Sequence, residues 1–301
     1  MRKLFFRGIV AWLLWRALGP ESKPRFSGIQ ERPLRVPGRT VFVGAHEFFV
    51  RELGPQDAPP IVLIHGWAYD GEATWAAVAP LLAARHRVVL VDQRNHGKSD
   101  RIRGSYDIED VADELAGVLD ALDLGPATIV GYSMGGMVAQ MLTKRHPRHV
   151  GKLVLAGTAA YPIFTRRLLT RWTFWWGRAA ARLSPGEGNW IALAALRKLG
   201  AIAPQHERWA WEKIMDRDPT LYYEAGNAVW RFDSRSWIGR LDVPKLVIIP
   251  TDDILVPPAS QYEMASLLDD CEVVELVGAN HDSVLTRADD YAKAIERFAG
   301  V

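Results

Sequence analysis

Residues 127–136, Ala-Thr-Ile-Val-Gly-Tyr-Ser-Met-Gly-Gly, decide how the rest of the chain is read. Ala127–Val130 predicts a strand buried on both faces, and a helix is expected to follow Ser133. Between the two, Gly131-Tyr-Ser-Met-Gly135 places a serine on a sharp strand-to-helix turn. Such a turn strains the serine backbone and pushes its hydroxyl out of the sheet. Glycines two residues before and after remove side chains that would collide there, and Gly136 adds room against the neighbouring strand. A glycine-rich turn with an incidental serine is the bland alternative, so partners for Ser133 have to be found elsewhere in the chain.

Working outward, the same strand type recurs at Ile61–Ile64, Arg87–Val91, Lys152–Ala156, Lys245–Ile249 and Glu272–Val277, all expected to be buried. Helical stretches are predicted near 72–84 and 107–123, after Ser133, and at Val284–Ala299. Val41–Val43 and Phe48–Leu53 look like an opening antiparallel pair. This alternation argues for an α/β protein with a mostly parallel sheet covered on both faces. It breaks off at Tyr161 and resumes at Pro244. The expected organisation is therefore a basic and apolar N-terminal helix with a linker over 1–39, a candidate membrane anchor, then a core of 40–159 and 244–301 and a helical cap over 160–243. The cap is broken at Pro185, Pro204 and Pro219, and it carries eight of the twelve tryptophans.

A serine hydroxyl needs a base near neutral pH. His281, in Gly278-Ala-Asn-His-Asp282, lies between the last strand and the last helix, where a loop can reach the turn. The other seven histidines, His86, His146 and His149 among them, fall in helix ends or surface-like polar runs and are read as ordinary, His65 apart. The imidazole in turn needs a carboxylate to fix its tautomer. Pro250-Thr-Asp-Asp-Ile-Leu-Val-Pro257 offers Asp253, which is preferred, and Asp252 as the fallback. An oxyanion requires N–H donors. The backbone of Met134 supplies one and that of Trp67, in His65-Gly-Trp67, the second; His65 itself is read as shaping that loop.

These motifs together resemble the α/β-hydrolase superfamily from about residue 40 to 300. The HG-x, GxSxG, D-x-x-x-P and late-histidine motifs stand in family order, and Asp92-Gln-Arg-Asn-His-Gly-Lys-Ser99 is similar to the family's D-x-R-G-x-G-x-S turn. Asn95 replaces the usual glycine, a mild departure because asparagine tolerates positive φ. The resemblance implies an eight-stranded sheet with a helical cap and a serine hydrolase mechanism. Because serine, not aspartate, holds the nucleophile position, it disfavours haloalkane dehalogenase and epoxide hydrolase chemistry. Membrane-linked monoacylglycerol lipases and esterases look most similar. The expected activity is hydrolysis of a small-molecule carboxylic ester with a lipid-like or apolar acyl group, without cofactor or metal. Thioester or carbon–carbon hydrolysis and acyl transfer are alternatives for the same triad, and a non-catalytic binding protein on this scaffold is a further one.

The net charge of +2 conceals a segregation of charge. Residues 1–39 carry nine Lys/Arg against two Glu, and residues 161–240 carry thirteen against seven acidic residues, so the remainder is acidic. Residues 1–18, MRKLFFRGIVAWLLWRAL, are too short in apolar run to span a membrane, which takes about 20 residues. Trp12, Trp15 and the flanking arginines predict an interfacial helix; a signal peptide, a short span and a packing helix are its alternatives. In the cap, Arg167, Arg171, Arg178 and Arg182 share a helical stripe beside Leu168, Trp172, Trp175 and Ala179. Trp172 and Trp175 are candidate substrate contacts, and the stripe is expected to meet an anionic membrane surface. The expected location is thus peripheral on a membrane, the cytoplasmic face favoured over secretion. No zinc-finger or RNA-binding signature accompanies the charge, which argues against nucleic acid. The single cysteine, Cys271, excludes an internal disulfide.

Overall fold

The computed structural model describes residue 26 and residues 36–67, 69–162 and 204–300. The chain opens with an antiparallel pair, β1 (Gly38–Val43) and β2 (His46–Leu53), then β3 (Pro60–Ile64). Two short helices follow, α1 (Gly71–Trp75) and α2 (Ala79–Leu82), before β4 (Arg87–Val91). Next come α3 (Ile108–Ala121), β5 (Ala127–Tyr132), α4 (Met134–Arg145) and β6 (Val150–Ala156). Beyond the undescribed residues lie α5 (Glu207–Met215) and α6 (Pro219–Arg231). The chain then returns through β7 (Lys245–Pro250), α7 (Pro258–Ser266), β8 (Cys271–Leu276), α8 (Ser283–Thr286) and α9 (Ala288–Ala299).

The eight strands form one sheet in the order β1-β2-β4-β3-β5-β6-β7-β8. β1, β2 and β4 pair antiparallel, and every other pairing is parallel. Alternation along the central strands fills both faces. Val62, Ile64, Ile129 and Leu155 pack with Leu115, Val138 and Leu142 of α3 and α4. Ile61, Leu63, Val130 and Val154 face the other way, onto Trp75, Leu82, Tyr291 and Ile295. Near-continuous apolar strands are what this double coverage demands.

Three expectations are corrected. The 72–84 stretch is two short helices, because the chain turns between Trp75 and Ala79. The closing helix is interrupted at Arg287, whose backbone is not helical (φ −129°, ψ 38°). β8 is an edge strand and not a buried one. Among the described residues it has only β7 beside it, Val273 is 45% exposed, and Glu272 and Glu275 face solvent.

Local chemistry explains several boundaries. Asp70 caps α1 by accepting from Ala73 N–H (2.7 Å). Asp218 caps α6 through Thr220 and Leu221 N–H, and Pro219 fills the first helical position, where no N–H is needed. Lys152 Nζ donates to the Phe298 and Ala299 carbonyls that end α9. The described part of the 160–243 stretch contains helices and no strand. It is tied to the core by Lys213 of α5, which donates to Asp70 (2.6 Å) and Glu72 (3.2 Å). Burial opposes ionisation of Asp70, but the Lys213 ammonium holds its carboxyl below the usual range. Among the described residues, no helix is long and apolar enough to cross a membrane. Residues 1–18, the arginine stripe from Arg167 to Arg182, Trp172 and Trp175 lie outside the described residues.

Candidate active site

Ser133 sits between β5 and α4 with φ 54° and ψ −122°, a conformation costly for a residue with a side chain. The two glycines around it make the turn feasible. A Cβ at Gly131 would overlap the Gly135 carbonyl, and one at Gly135 would overlap the Ile64 and His65 carbonyls. The strained residue is held by its backbone: Ser133 N–H donates to Ala156 (3.0 Å), and its carbonyl accepts from Thr158 Oγ1 (2.7 Å) and Gly136 N–H (2.9 Å).

His281 arrives on the loop between β8 and α8. Its Nε2 lies 3.2 Å from Ser133 Oγ, and its Nδ1 lies 2.7 Å from Asp253 Oδ2. An ionised carboxylate can only accept, so Nδ1 carries the proton and the neutral ring turns a lone pair towards the serine hydroxyl. Asp253 stands just past β7 and is 2% exposed. Its Oδ1 accepts from Leu255 N–H (2.9 Å) and Val256 N–H (2.8 Å), while Oδ2 accepts from His281 and from Gln261 Nε2 (3.3 Å). The fallback, Asp252, is exposed and turns towards Thr251 Oγ1 (3.4 Å). The structure therefore brings together Ser133, His281 and Asp253, the three residues selected from motifs 148 and 28 positions apart.

The loop after β3 passes directly over the serine, and a Cβ on Gly66 would come within 3.2 Å of Ser133 Cβ. Trp67 on that loop and Met134, the first residue of α4, both border the same cleft as Ser133. First-turn N–H groups of a helix have no partner within it, so Met134 N–H is placed to meet developing negative charge. Two imidazoles fix the loop. His65 Nδ1–H donates to the Gly66 carbonyl (2.7 Å), and its Nε2 accepts from Gln93 N–H (3.0 Å). That acceptance requires neutral imidazole, and burial pushes the His65 pKa down to about 4. His96 Nε2 lies 2.9 Å from the Trp67 carbonyl. The Trp67 ring stacks on Tyr222 of α6 with centroids 4.3 Å apart, and its indole N–H donates to the Tyr222 carbonyl (2.7 Å).

The histidines outside the motif differ from that expectation. His86 and His149 are buried at 0% and 4% exposure, not surface-like, and His96 is a buried buttress of the Trp67 loop. Sequence reading also missed Thr158, Tyr222 and Gln261. Gln93 and His96 had a signal, since they occupy the Asp92–Ser99 turn. In that turn Asn95 does adopt positive φ (66°), and its Oδ1 accepts from Ile102 N–H (2.7 Å).

The cleft at Ser133 measures about 470 Å3, counted to its open mouth. Its walls are mainly apolar, with Met134, Met137, Val229, Leu255 and Val256. Its polar side chains are largely committed: Thr158 to the Ser133 carbonyl and Tyr161 to Glu263 (2.8 Å). No cluster of three or more His, Cys, Asp or Glu able to hold a metal occurs among the described residues.

A sheet of this order, with a strained serine turn after its fifth strand, defines the α/β-hydrolase class of protein. Residues 59–213 match the family model described as alpha/beta hydrolase fold. The chain is 30% identical over 259 residues to a pimeloyl-[acyl-carrier protein] methyl ester esterase of Chromobacterium violaceum, covering 82% of this chain and 96% of that protein. It is 28% identical to a non-heme chloroperoxidase of Streptomyces lividans, over 79% of this chain and 90% of the other. Among solved structures it superposes on an enol-lactonase from Burkholderia xenovorans with a TM-score of 0.75 and 26% identity, covering 86% of this chain and 99% of that one. The chain belongs to the alpha/beta hydrolase fold family.

Proposed function

We propose that this enzyme hydrolyses carboxylic esters with an apolar acyl group through Ser133, His281 and Asp253. The observation that carries the reading is the relay of contacts from Ser133 Oγ through His281 to Asp253 Oδ2, at 3.2 and 2.7 Å. Ser133 Oγ attacks the ester carbonyl while His281 Nε2 takes its proton. Asp253 keeps the proton of Nδ1 in place and stabilises the imidazolium. The backbone N–H groups of Met134 and Trp67 receive the oxyanion. His281 then protonates the departing alcohol, leaving an acyl group on Ser133. Water, deprotonated by the same imidazole, releases the acid and restores the serine.

The apolar walls of the cleft support an apolar acyl portion. The methyl ester esterase activity for which the C. violaceum relative is named supports the ester bond. A peripheral membrane location rests on the Arg/Trp pattern of residues 1–18 and of the Arg167–Arg182 stripe, with Trp172 and Trp175 as substrate contacts.

Turnover of p-nitrophenyl esters from short to long acyl chains tests the reading. Ser133→Ala should lower kcat by roughly 10⁴- to 10⁶-fold while the protein stays folded. Turnover of that variant near the wild-type level would remove Ser133 from the mechanism.

A further inference from the structure

We propose that Gln261 is a positioning residue for the triad: its side-chain amide fixes the Asp253 carboxylate and moderates its pull on His281. The inference rests on the roles given to Ser133, His281 and Asp253 above. Gln261 lies in α7, eight residues beyond Asp253, and is fully buried. Its Nε2 donates to the Val256 carbonyl (2.8 Å) and to Asp253 Oδ2 (3.3 Å). The amide has two N–H bonds, so both are spent. Both neighbours can only accept, which fixes the orientation of the amide: the flipped form would set its oxygen against two oxygens.

The contacts close a circuit. Asp253 Oδ1 accepts from Val256 N–H, the Val256 carbonyl accepts from Gln261, and Gln261 returns to Asp253 Oδ2. The loop from Asp253 to Val256 is thereby held in one shape, with Oδ2 facing His281. The other end of the amide shows what is given up for this. Gln261 Oε1 is buried with no hydrogen-bond partner among the described residues. Leaving a buried acceptor unsatisfied is unfavourable, and an apolar side chain of similar shape would avoid it. A glutamine here makes physical sense through what its N–H groups do.

Sharing Oδ2 between two donors has a chemical consequence. The negative charge on that oxygen is partly neutralised by Gln261, so less of it acts on His281. Among the described residues, Asp282, Tyr132 and Tyr291 also lie within electrostatic reach of Asp253. None of their side chains donates to Asp253, so Gln261 is its only side-chain donor besides His281 among the described residues.

Two variants of the full chain, assayed on p-nitrophenyl butyrate across pH, separate this role from packing. Gln261→Met keeps the length of the side chain and removes the donor. It should lower kcat about ten-fold with KM unchanged, and the acid limb of kcat/KM should move to higher pH. Gln261→Glu keeps the shape and, while protonated, can still donate to Oδ2. It should work best at low pH and lose activity along an alkaline limb that the wild type lacks.

A readout independent of turnover is the proton NMR resonance of His281 Nδ1–H, which should move further downfield in Gln261→Met. Wild-type profile and resonance in both variants would overturn the proposal. So would an equal loss at every pH in both variants with the resonance unmoved. A wild-type protein that turns over no ester would instead strike the ester-hydrolase reading, while the resonance still reports on Gln261.

Discussion

Asp253→Asn changes one atom at the most constrained point of the site, and its outcome can be worked from the contacts. Oδ1 of Asp253 takes two backbone N–H bonds, from Leu255 and Val256. The asparagine oxygen must occupy that position, because an NH2 there would face two donors. Its NH2 then replaces Oδ2 and points at His281 Nδ1. A donor at that place forces the neutral imidazole to accept at Nδ1 and carry its proton on Nε2, facing Ser133 Oγ. The ring can no longer take the serine proton. A triad with the wrong tautomer loses about 10⁴-fold in kcat, equivalent to about 5 kcal/mol of barrier. The same NH2 also meets the Gln261 Nε2 donor, so a modest loss of stability accompanies the loss of rate. Steady-state hydrolysis of p-nitrophenyl butyrate at pH 8, with circular dichroism to confirm folding, measures both. Retention of kcat within ten-fold of wild type would refute the tautomer argument and the role of Asp253 with it.

Other perturbations probe the scaffold. The Arg51–Asp92 pair is buried on both sides (Nη1 to Oδ1, 2.8 Å), so Arg51→Ala should destabilise by about 3–5 kcal/mol by stranding a carboxylate. A urea midpoint showing less than about 1 kcal/mol would contradict this. His65 is neutral when folded, with its pKa pushed down to about 4 by burial, whereas the unfolded chain titrates near 6.5. Between those values the unfolded state binds more protons, so the stabilisation is complete above about 6.5 and declines as pH falls towards 4, by up to about 1.4 kcal/mol per pH unit. His65→Gln should flatten that decline in thermal melts; an unchanged slope would contradict it. Flotation with anionic vesicles tests the membrane proposal. A protein lacking residues 1–18, with Arg167 and Arg171 neutralised, should stay unbound, and equal binding would dismiss both segments.

The serine turn, the antiparallel opening and the parallel core were legible because their signals are local. Strand-to-helix turns need glycine where Cβ atoms would overlap, and strands buried on both faces need unbroken apolar runs. The pairing of Ser133 with His281 and Asp253 was legible through chain order within the resembled family, not through geometry. What stayed hidden depends on contacts between distant segments. Gln261 reads as an ordinary helical residue until α7 is docked against the Asp253 loop. Thr158 and Tyr222 gain meaning only when their elements meet Ser133 and Trp67. The burial of His86 and His149 went unread because single polar residues in helix ends carry no periodic signal. β8 was misjudged because Val273 and Val274 suggested burial. The two glutamates beside them marked an edge strand, whose charged side chains discourage pairing with another chain.

The reactivity of the Ser133 hydroxyl decides the mechanism, and a fluorophosphonate probe measures it directly. A serine activated by the neutral His281 imidazole predicts stoichiometric labelling of the peptide containing residue 133 in the wild type, none in Ser133→Ala, and strongly slowed labelling in Asp253→Asn. An active esterase that stays unlabelled at Ser133, or takes the label at another residue, would contradict it.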